Sequence, residues 1–311
     1  MQAITYKDYG SHSVLTLSEV SRPQPARDEV LIRVVAASVN PIDARLRSGE
    51  MRWMLPGGFP RIPGYDVAGV IEEVGKECSF QPGNRVLAFL DHMYGGGYAE
   101  YAVCSSSSVV SIPDEMSFEE ASALPLAGST ALQSLRDYGH LKSGDRVLIN
   151  GASGGVGAFA VQIAVARGAK VTAVASGKHE EFVRSLGATN FIDYTKEEFS
   201  KSNRQWELIF DAAGKSSFAE VKDVLSDKGH FVSTEPSLRG LVMSLITWPF
   251  DKQANVMLAQ SREKDLKELV RLWSACQLKV TIEETFSLSE AAKAHHRIES
   301  DSFCGKLVLN A

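Results

Sequence analysis

Cysteine is scarce in this sequence. Cys78, Cys104, Cys276 and Cys304 are the four in 311 residues, and no two form a C-x-x-C pair. That spacing excludes a disulfide framework and a zinc knuckle, and it fits a reducing compartment. Long basic runs are missing too, and the formal net charge is -5. Nucleic acid is thereby excluded as the main partner, because neutralising its phosphates takes clustered Lys and Arg. The longest apolar-biased stretch, Leu238 to Phe250, falls short of the ~20 residues that cross a bilayer, so no integral membrane segment is expected. It reads as a helix covering a site or a subunit interface. The start, M-Q-A-I-T-Y-K, lacks a basic residue followed by an apolar block. No secretory leader is expected, and the expected address is cytoplasmic. Internal repeats and low-complexity tracts are absent.

What is present is ordinary globular material, with 44% hydrophobic and 23% charged residues and length enough for two domains. Residues 1–123 alternate short strands with Gly and Pro turns: 30–36, 67–74 (interrupted by Gly69), 85–89, 98–103 and 109–112. Such punctuation predicts a compact β-rich domain. Ser117 followed by Glu120 forms a capping box that opens a helix. From Gly144 the period changes to alternating strands and helices, with strands at 147–150, 170–176, 190–193, 207–212, 229–234 and 255–260. The helices between them are expected at 155–167, 179–186, 217–225 and 263–275. This predicts an α/β domain with a parallel sheet wrapped on both faces. The tail (strand 279–286, helix 289–298, strand 306–309) is expected to return to the first domain. The resulting division is 1–123 with 277–311, and 124–276.

The chain is organised around Arg146 to Gly157, R-V-L-I-N-G-A-S-G-G-V-G. A short apolar strand runs into a glycine turn and then a helix whose free N–H groups would face a phosphate. Ala152 stands where the first Gly of G-x-G-x-x-G is expected, and Gly154 and Gly157 keep their places. One strand later the sequence reads Ala175-Ser176-Gly177-Lys178. The acid that binds a ribose 2′-OH is missing there, and Lys178 can pair with a 2′-phosphate. A solvated surface lysine is the alternative for Lys178.

Several further motifs fall in one order: N-P-I-D (Asn40 to Asp43), P-R-I-P-G-Y-D-V-A-G-V-I (Pro60 to Ile71) and G-G-Y-A-E-Y (Gly96 to Tyr101). A-L-P-L-A-G-S-T-A (Ala123 to Ala131), the glycine turn, I-D-Y (Ile192 to Tyr194) and G-K-L-V-L (Gly305 to Leu309) follow. With these motifs the chain resembles the zinc-independent quinone oxidoreductase branch of the medium-chain dehydrogenase/reductase superfamily. The resemblance implies a GroES-like β-rich domain built from both chain ends, an inserted Rossmann domain, and a homodimer pairing through the cofactor domains. It implies NADPH as cofactor, with Ser176, Lys178 and Tyr194 at the 2′-phosphate and Ala152, Ser153, Gly154, Gly155 and Val156 at the pyrophosphate turn. Ala212 to Gly214 would pass the ribose, and Asn40 and Thr130 would approach the nicotinamide. His179 and Arg184 are weaker neighbours of the 2′ end.

In zinc relatives a Cys stands in the place of Asn40 and a His in the place of Tyr65, so the resemblance implies no metal. The pair His295-His296 reads as surface helix. The implied reaction is hydride transfer from NADPH to quinones or α,β-unsaturated carbonyls, whose charge spreads into an enolate or phenolate without a metal. Arg45 and Tyr65 are the candidate groups at the acceptor oxygen, with a surface ion pair and a tethered core hydroxyl as their alternatives. Trp53, Met54, Leu241 and Trp248 suggest apolar pocket walls. The competing readings are an NADPH-binding member with little turnover, crystallin-like or RNA-binding, and a zinc-free enzyme of the alcohol dehydrogenase type.

Overall fold

The computed structural model describes residues 1–52, 57–235, 238–247, 250–300 and 303–311, without the side chains at 238, 239, 241 and 300. Trp53, Met54, Trp248 and the Leu241 side chain lie outside that set.

Six strands form one parallel sheet in the order Asn190–Asp193, Lys170–Ala175, Arg146–Asn150, Trp206–Asp211, Leu225–Ser233 and Gln253–Val256. Numbered along the chain this is 3-2-1-4-5-6, the doubly wound order. Val147, Leu148, Ile149, Leu208, Ile209 and Phe210 in its central strands are fully buried. Both faces are covered, which is why these strands read as unbroken apolar runs. The order reverses beside Arg146–Asn150, which places the ligand crevice over the glycine turn.

A seven-stranded sheet makes the second body. Its path runs Ile282–Ser287, Lys306–Asn310, Glu29–Val39, Asp66–Val74, Arg85–Phe89 and Val109–Ser111, with Tyr101–Ser105 paired to Glu29–Val39. The C-terminal strand lies antiparallel to the long early one, with Leu307 opposite Val39 and Leu309 opposite Ala37. The tail strands thus join the sheet of the early strands. The tail also touches the parallel sheet: Gly305 N–H donates to Ser153 O at 3.0 Å, and Gly154 bridges Gly305.

Several expected elements shift. Gly69 does not interrupt its strand; a Cβ there would lie 2.1 Å from Arg33 O, so glycine is what lets the two strands approach. The helix expected over 217–225 spans only Phe218–Val221, and the strand after it starts early, at Leu225. The strand expected at 255–260 is Gln253–Val256, and that expected at 98–103 is Tyr101–Ser105, because Tyr98 turns inward as core. His295 is likewise core, not surface. It shares the inward face of helix Ala291–Ser300 with Ala291 and Ala294, and only His296 of the pair is exposed. Ser117 does cap its helix, accepting from Glu120 N–H at 3.1 Å.

The apolar stretch after Glu235 forms helix Leu238–Thr247. Its hydroxyls cover the free edge of the parallel sheet, since Ala254 N–H donates to Thr247 Oγ1 at 2.9 Å and Val256 N–H to Ser244 Oγ at 3.2 Å. Val242, Leu245, Ile246 and Phe250 on and beyond it stay exposed. No described helix is long and apolar enough to cross a membrane.

Candidate cofactor cleft and its buried polar floor

A cleft of about 560 Å³ lies at the switch point, lined by residues of both sheets. Its centre is the glycine turn. Gly151 has φ +81, and its N–H and that of Ala152 both donate to Val174 O at 3.0 Å. The left-handed residue of this turn is therefore Gly151, one position before the expected first glycine. This is why a fully buried alanine is tolerated at 152. The other glycines divide by function. A Cβ on Gly157 would sit 2.1 Å from Gly151 O, so this residue is required for the helix to pack on the turn. A Cβ on Gly154 would meet only Gly151 O, at 3.6 Å. That open side faces the cleft and is the cradle a Cβ would fill. Helix Gly155–Ala166 begins there, with Gly154 at its N-cap, so free N–H groups and the positive end of the helix dipole meet the cleft. These features fit a dinucleotide pyrophosphate.

On one side of the turn, strand Lys170–Ala175 ends at Ser176. Ser176, His179 and Tyr194 line the cleft, as do Glu197 and Glu198. Lys178 is exposed beside them, and among the described residues it makes no ion pair. The neighbouring lysines are engaged: Lys196 with Asp193 at 3.4 Å and Lys201 with Glu198 at 2.7 Å. Arg184 is tied to Glu180 at 2.8 Å. Asp193 comes close to Gly177 from the third strand, but its carboxylate is committed to Thr195 N–H and Oγ1, which holds its pKa below the usual range.

On the other side, Asn150, Ala212, Ala213 and Ser216 line the cleft. Buried Asp211 shapes this loop, accepting from Asn150 Nδ2 at 2.9 Å and Ser216 N–H at 2.7 Å. Gly214 takes φ +65 against Glu235 and stands behind the lining.

The floor at the far end carries Asn40 and Lys306, which are 1% and 4% exposed. Lys306 Nζ donates to Asn40 Oδ1 at 2.5 Å. Asn40 Nδ2 donates to Asp66 Oδ2 at 2.9 Å, Ser38 Oγ to the same oxygen at 2.8 Å, and Leu126 N–H to Asp66 Oδ1 at 2.8 Å. Asp66 is fully buried at the start of helix Pro125–Gln133, and Lys306 Nζ lies 3.9 Å from it. Burial pushes the Asp66 pKa up and the Lys306 pKa down, and their mutual attraction opposes both shifts. Lys306 and Asp66 escaped the sequence reading. The available signal was a lysine opening the apolar strand K-L-V-L, since a charge in such a position is buried only when paired.

Six expected site residues do not line the cleft: Lys178 and Gly214, which stand beside and behind it, and four that are turned away or engaged elsewhere. Thr130 is buried, and its Oγ1 donates to Leu126 O at 2.7 Å. Ala152 is packed beneath the turn. Tyr65 donates its hydroxyl to Met93 O at 2.6 Å, and burial pushes its pKa up. Arg45 is held bidentately by Glu235 at 3.0 Å and by Glu50 at 2.9 Å. For Tyr65 and Arg45 the geometry is that of the tethered hydroxyl and the ion pair. Among the described residues no group of three or more His, Cys, Asp or Glu is placed to hold a metal ion.

Two family models match the chain: an alcohol dehydrogenase GroES-like domain over residues 26–114 and a zinc-binding dehydrogenase over 186–309. The chain is 35% identical to the chloroplastic quinone-oxidoreductase homolog of Spinacia oleracea, covering 99% of this chain and 98% of that one. It is 33% identical to the chloroplastic NADPH-dependent alkenal/one oxidoreductase of Arabidopsis thaliana, covering 99% of this chain and 79% of that one. Among solved structures, the quinone oxidoreductase from Coxiella burnetii superposes with a TM-score of 0.93 at 32% identity, covering 100% of this chain and 99% of that one. With the doubly wound sheet, the GroES-like body and the glycine turn between them, the chain belongs to the quinone oxidoreductase branch of the medium-chain dehydrogenase/reductase superfamily.

Proposed function

We propose that this chain is a metal-free reductase that transfers hydride from NADPH to quinones or α,β-unsaturated carbonyls. The observation that carries it is the single cleft running from the open Gly154 cradle to the buried Asn40–Lys306 floor. NADPH, when bound, supplies the hydride. The N–H groups of Ser153, Gly155 and Val156 hold its pyrophosphate, over the open side of Gly154. Ser176, Lys178 and Tyr194 hold its 2′-phosphate; among the described residues Lys178 makes no ion pair, whereas Lys196 and Lys201 do. The name of the Arabidopsis relative supports the same cofactor. Ala212 to Gly214 flank the ribose. Asn40 and Thr130 belong to the nicotinamide end, and Lys306 and Asp66 fix the Asn40 amide.

Quinones and enones spread the developing charge, so no Lewis acid is needed. Asn40 and Tyr65 stand where the zinc relatives carry ligands. Tyr65 and Arg45 are both engaged elsewhere, so solvent delivers the proton in this reading. The division into 1–123 with 277–311 and 124–276 belongs to the same proposal, as does a homodimer through the cofactor domains. The exposed Val242, Leu245, Ile246 and Phe250 supply an apolar face for that dimer. The chloroplastic name of the spinach relative competes with the cytoplasmic address expected from the sequence, and cell fractionation separates the two.

The test is a panel of quinones and enones mixed with NADPH and the purified chain, following loss of the reduced cofactor. Tight NADPH binding with every acceptor inert would replace the reductase by a binding protein of little turnover. One equivalent of tightly held zinc in active protein would overturn the metal-free mechanism.

A further inference from the structure

We infer that Cys304 and His179 form a thiol–imidazole pair that takes covalent addition of soft electrophiles, α,β-unsaturated carbonyls above all, at the edge of the cofactor cleft. Cys304 Sγ lies 3.0 Å from His179 Nδ1. His179 lines the cleft, and so do Phe303 and Gly305 on either side of Cys304. The thiol is half-buried, not sealed. Lys178 and Glu283 face the pair, and Glu283 in turn accepts from Arg297 Nη2 at 3.3 Å.

The other cysteines differ. Cys104 is fully buried. Cys78 donates to Glu29 O at 3.2 Å, and Cys276 is exposed on the turn after helix Glu263–Ser274. Among the described residues, Cys304 is the cysteine with an imidazole in hydrogen-bond reach.

The chemistry follows from the local charges. Burial, then Glu283, push the Cys304 pKa up, while Lys178 opposes them; burial and Lys178 pull that of His179 down. The resting pair is thus neutral thiol and neutral imidazole, a nucleophile beside its base, not a preformed thiolate. In the addition, Sγ bonds to the β-carbon of the enone and the C=C electron pair moves toward the carbonyl oxygen. The thiol proton passes to His179 Nδ1 and on to the α-carbon. The product is a neutral thioether, and no oxidant or second reactant is consumed. The adduct stands between two cleft-lining residues, so it competes with the cofactor. Its consequence for turnover rests on the reductase reading, in which an acceptor left unreduced when NADPH runs short would block the cofactor site. The addition itself needs no turnover.

The experiment treats the full chain, without cofactor, with 2-cyclohexen-1-one and separately with N-ethylmaleimide, and maps adducts by peptide mass spectrometry over time. Cys304 is expected to be modified by both, and saturating NADPH to slow modification of Cys304 while leaving Cys276 unchanged. His179→Gln should slow Cys304 addition by at least about tenfold. It should also replace a rate that is flat across neutral pH by one that climbs with the thiolate fraction. Cys276 labelled with Cys304 untouched would overturn the inference, as would an unchanged rate and pH profile in His179→Gln. Labelling of Cys304 in a protein inert to the whole acceptor panel would sink the reductase reading and leave this one standing.

Discussion

Lys306 Nζ donates to Asn40 Oδ1 at 2.5 Å, tying the last strand of the chain to the residue that caps helix Pro41–Ser48. The contact joins residues 266 apart in sequence and sets the floor of the cleft. Lys306→Met keeps the apolar stem and removes the charge. It leaves Asp66 buried without its cation, so a loss of roughly 3 kcal/mol is expected in urea denaturation. Lys306→Met combined with Asp66→Asn should lose less than Lys306→Met alone, because the uncompensated charge is gone. Equal losses in the two proteins would show that the pair is not coupled.

The glycines of the turn predict opposite phenotypes for one change. Gly157→Ala puts a methyl 2.1 Å from Gly151 O and should cost several kcal/mol or prevent folding. Gly154→Ala meets only an oxygen at 3.6 Å and should leave the melting temperature nearly unchanged. Its methyl projects where the pyrophosphate approaches, so NADPH affinity should fall by at least about tenfold. Calorimetry and fluorescence titration read the two effects separately. A Gly154→Ala protein that binds NADPH normally would refute the cradle.

Lys178→Ala tests the 2′ end. A charge-assisted contact of the kind proposed is worth about 1.5–3 kcal/mol, so NADPH should weaken by about tenfold or more while NADH binding stays within about twofold. Glu197 and Glu198 also line this region. They would repel a 2′-phosphate left without Lys178, which pushes the two cofactors further apart. Equal weakening of NADPH and NADH would move the 2′ contact elsewhere.

The order of elements was legible because it rests on local signals: apolar runs between glycines, the Ser117 capping box and the glycine turn. Half of the candidate cleft's lining was legible for the same reason, since Ser153 to Val156 and Ser176 are fixed by the strand–turn–helix that contains them. The floor was not. Asn40, Asp66 and Lys306 meet only through strand pairing between the two ends of the chain, and no local pattern encodes that register. Thr130 and Ala152 lie in the right motifs, but a back-bonded hydroxyl and a buried methyl turn them away from the cleft. His295 was misread because a two-residue view of a helix does not reveal which face is inward; Ala291 and Ala294 do.

That buried histidine gives the last prediction. Tyr98 donates its hydroxyl to Asp43 Oδ2 at 3.1 Å and lies 3.4 Å from His295 Nε2. Burial, aided by the charge of nearby Asp66, raises the Asp43 pKa from 3.8 to about 7. Burial beside Arg47 lowers that of His295 from 6.5 to about 3. The signs are opposite. A raised carboxyl gives stability that is full below pH 3.8 and lost as pH rises through about 7. A depressed imidazole gives stability that is full above pH 6.5 and lost as pH falls through about 3. Where the windows overlap, the folded chain keeps one proton on Asp43 that the unfolded chain releases, and the unfolded chain binds one on His295 that the folded chain refuses. The two slopes cancel. Asp43→Asn should therefore expose a loss of stability on acidification from pH 6.5, with a slope approaching 1.4 kcal/mol per unit. His295→Gln should expose the reverse, a loss on raising pH toward about 7. Urea denaturation of the three proteins across this range reads both slopes. Two variants with the slope of the parent chain would mean that neither group stays neutral in the folded protein.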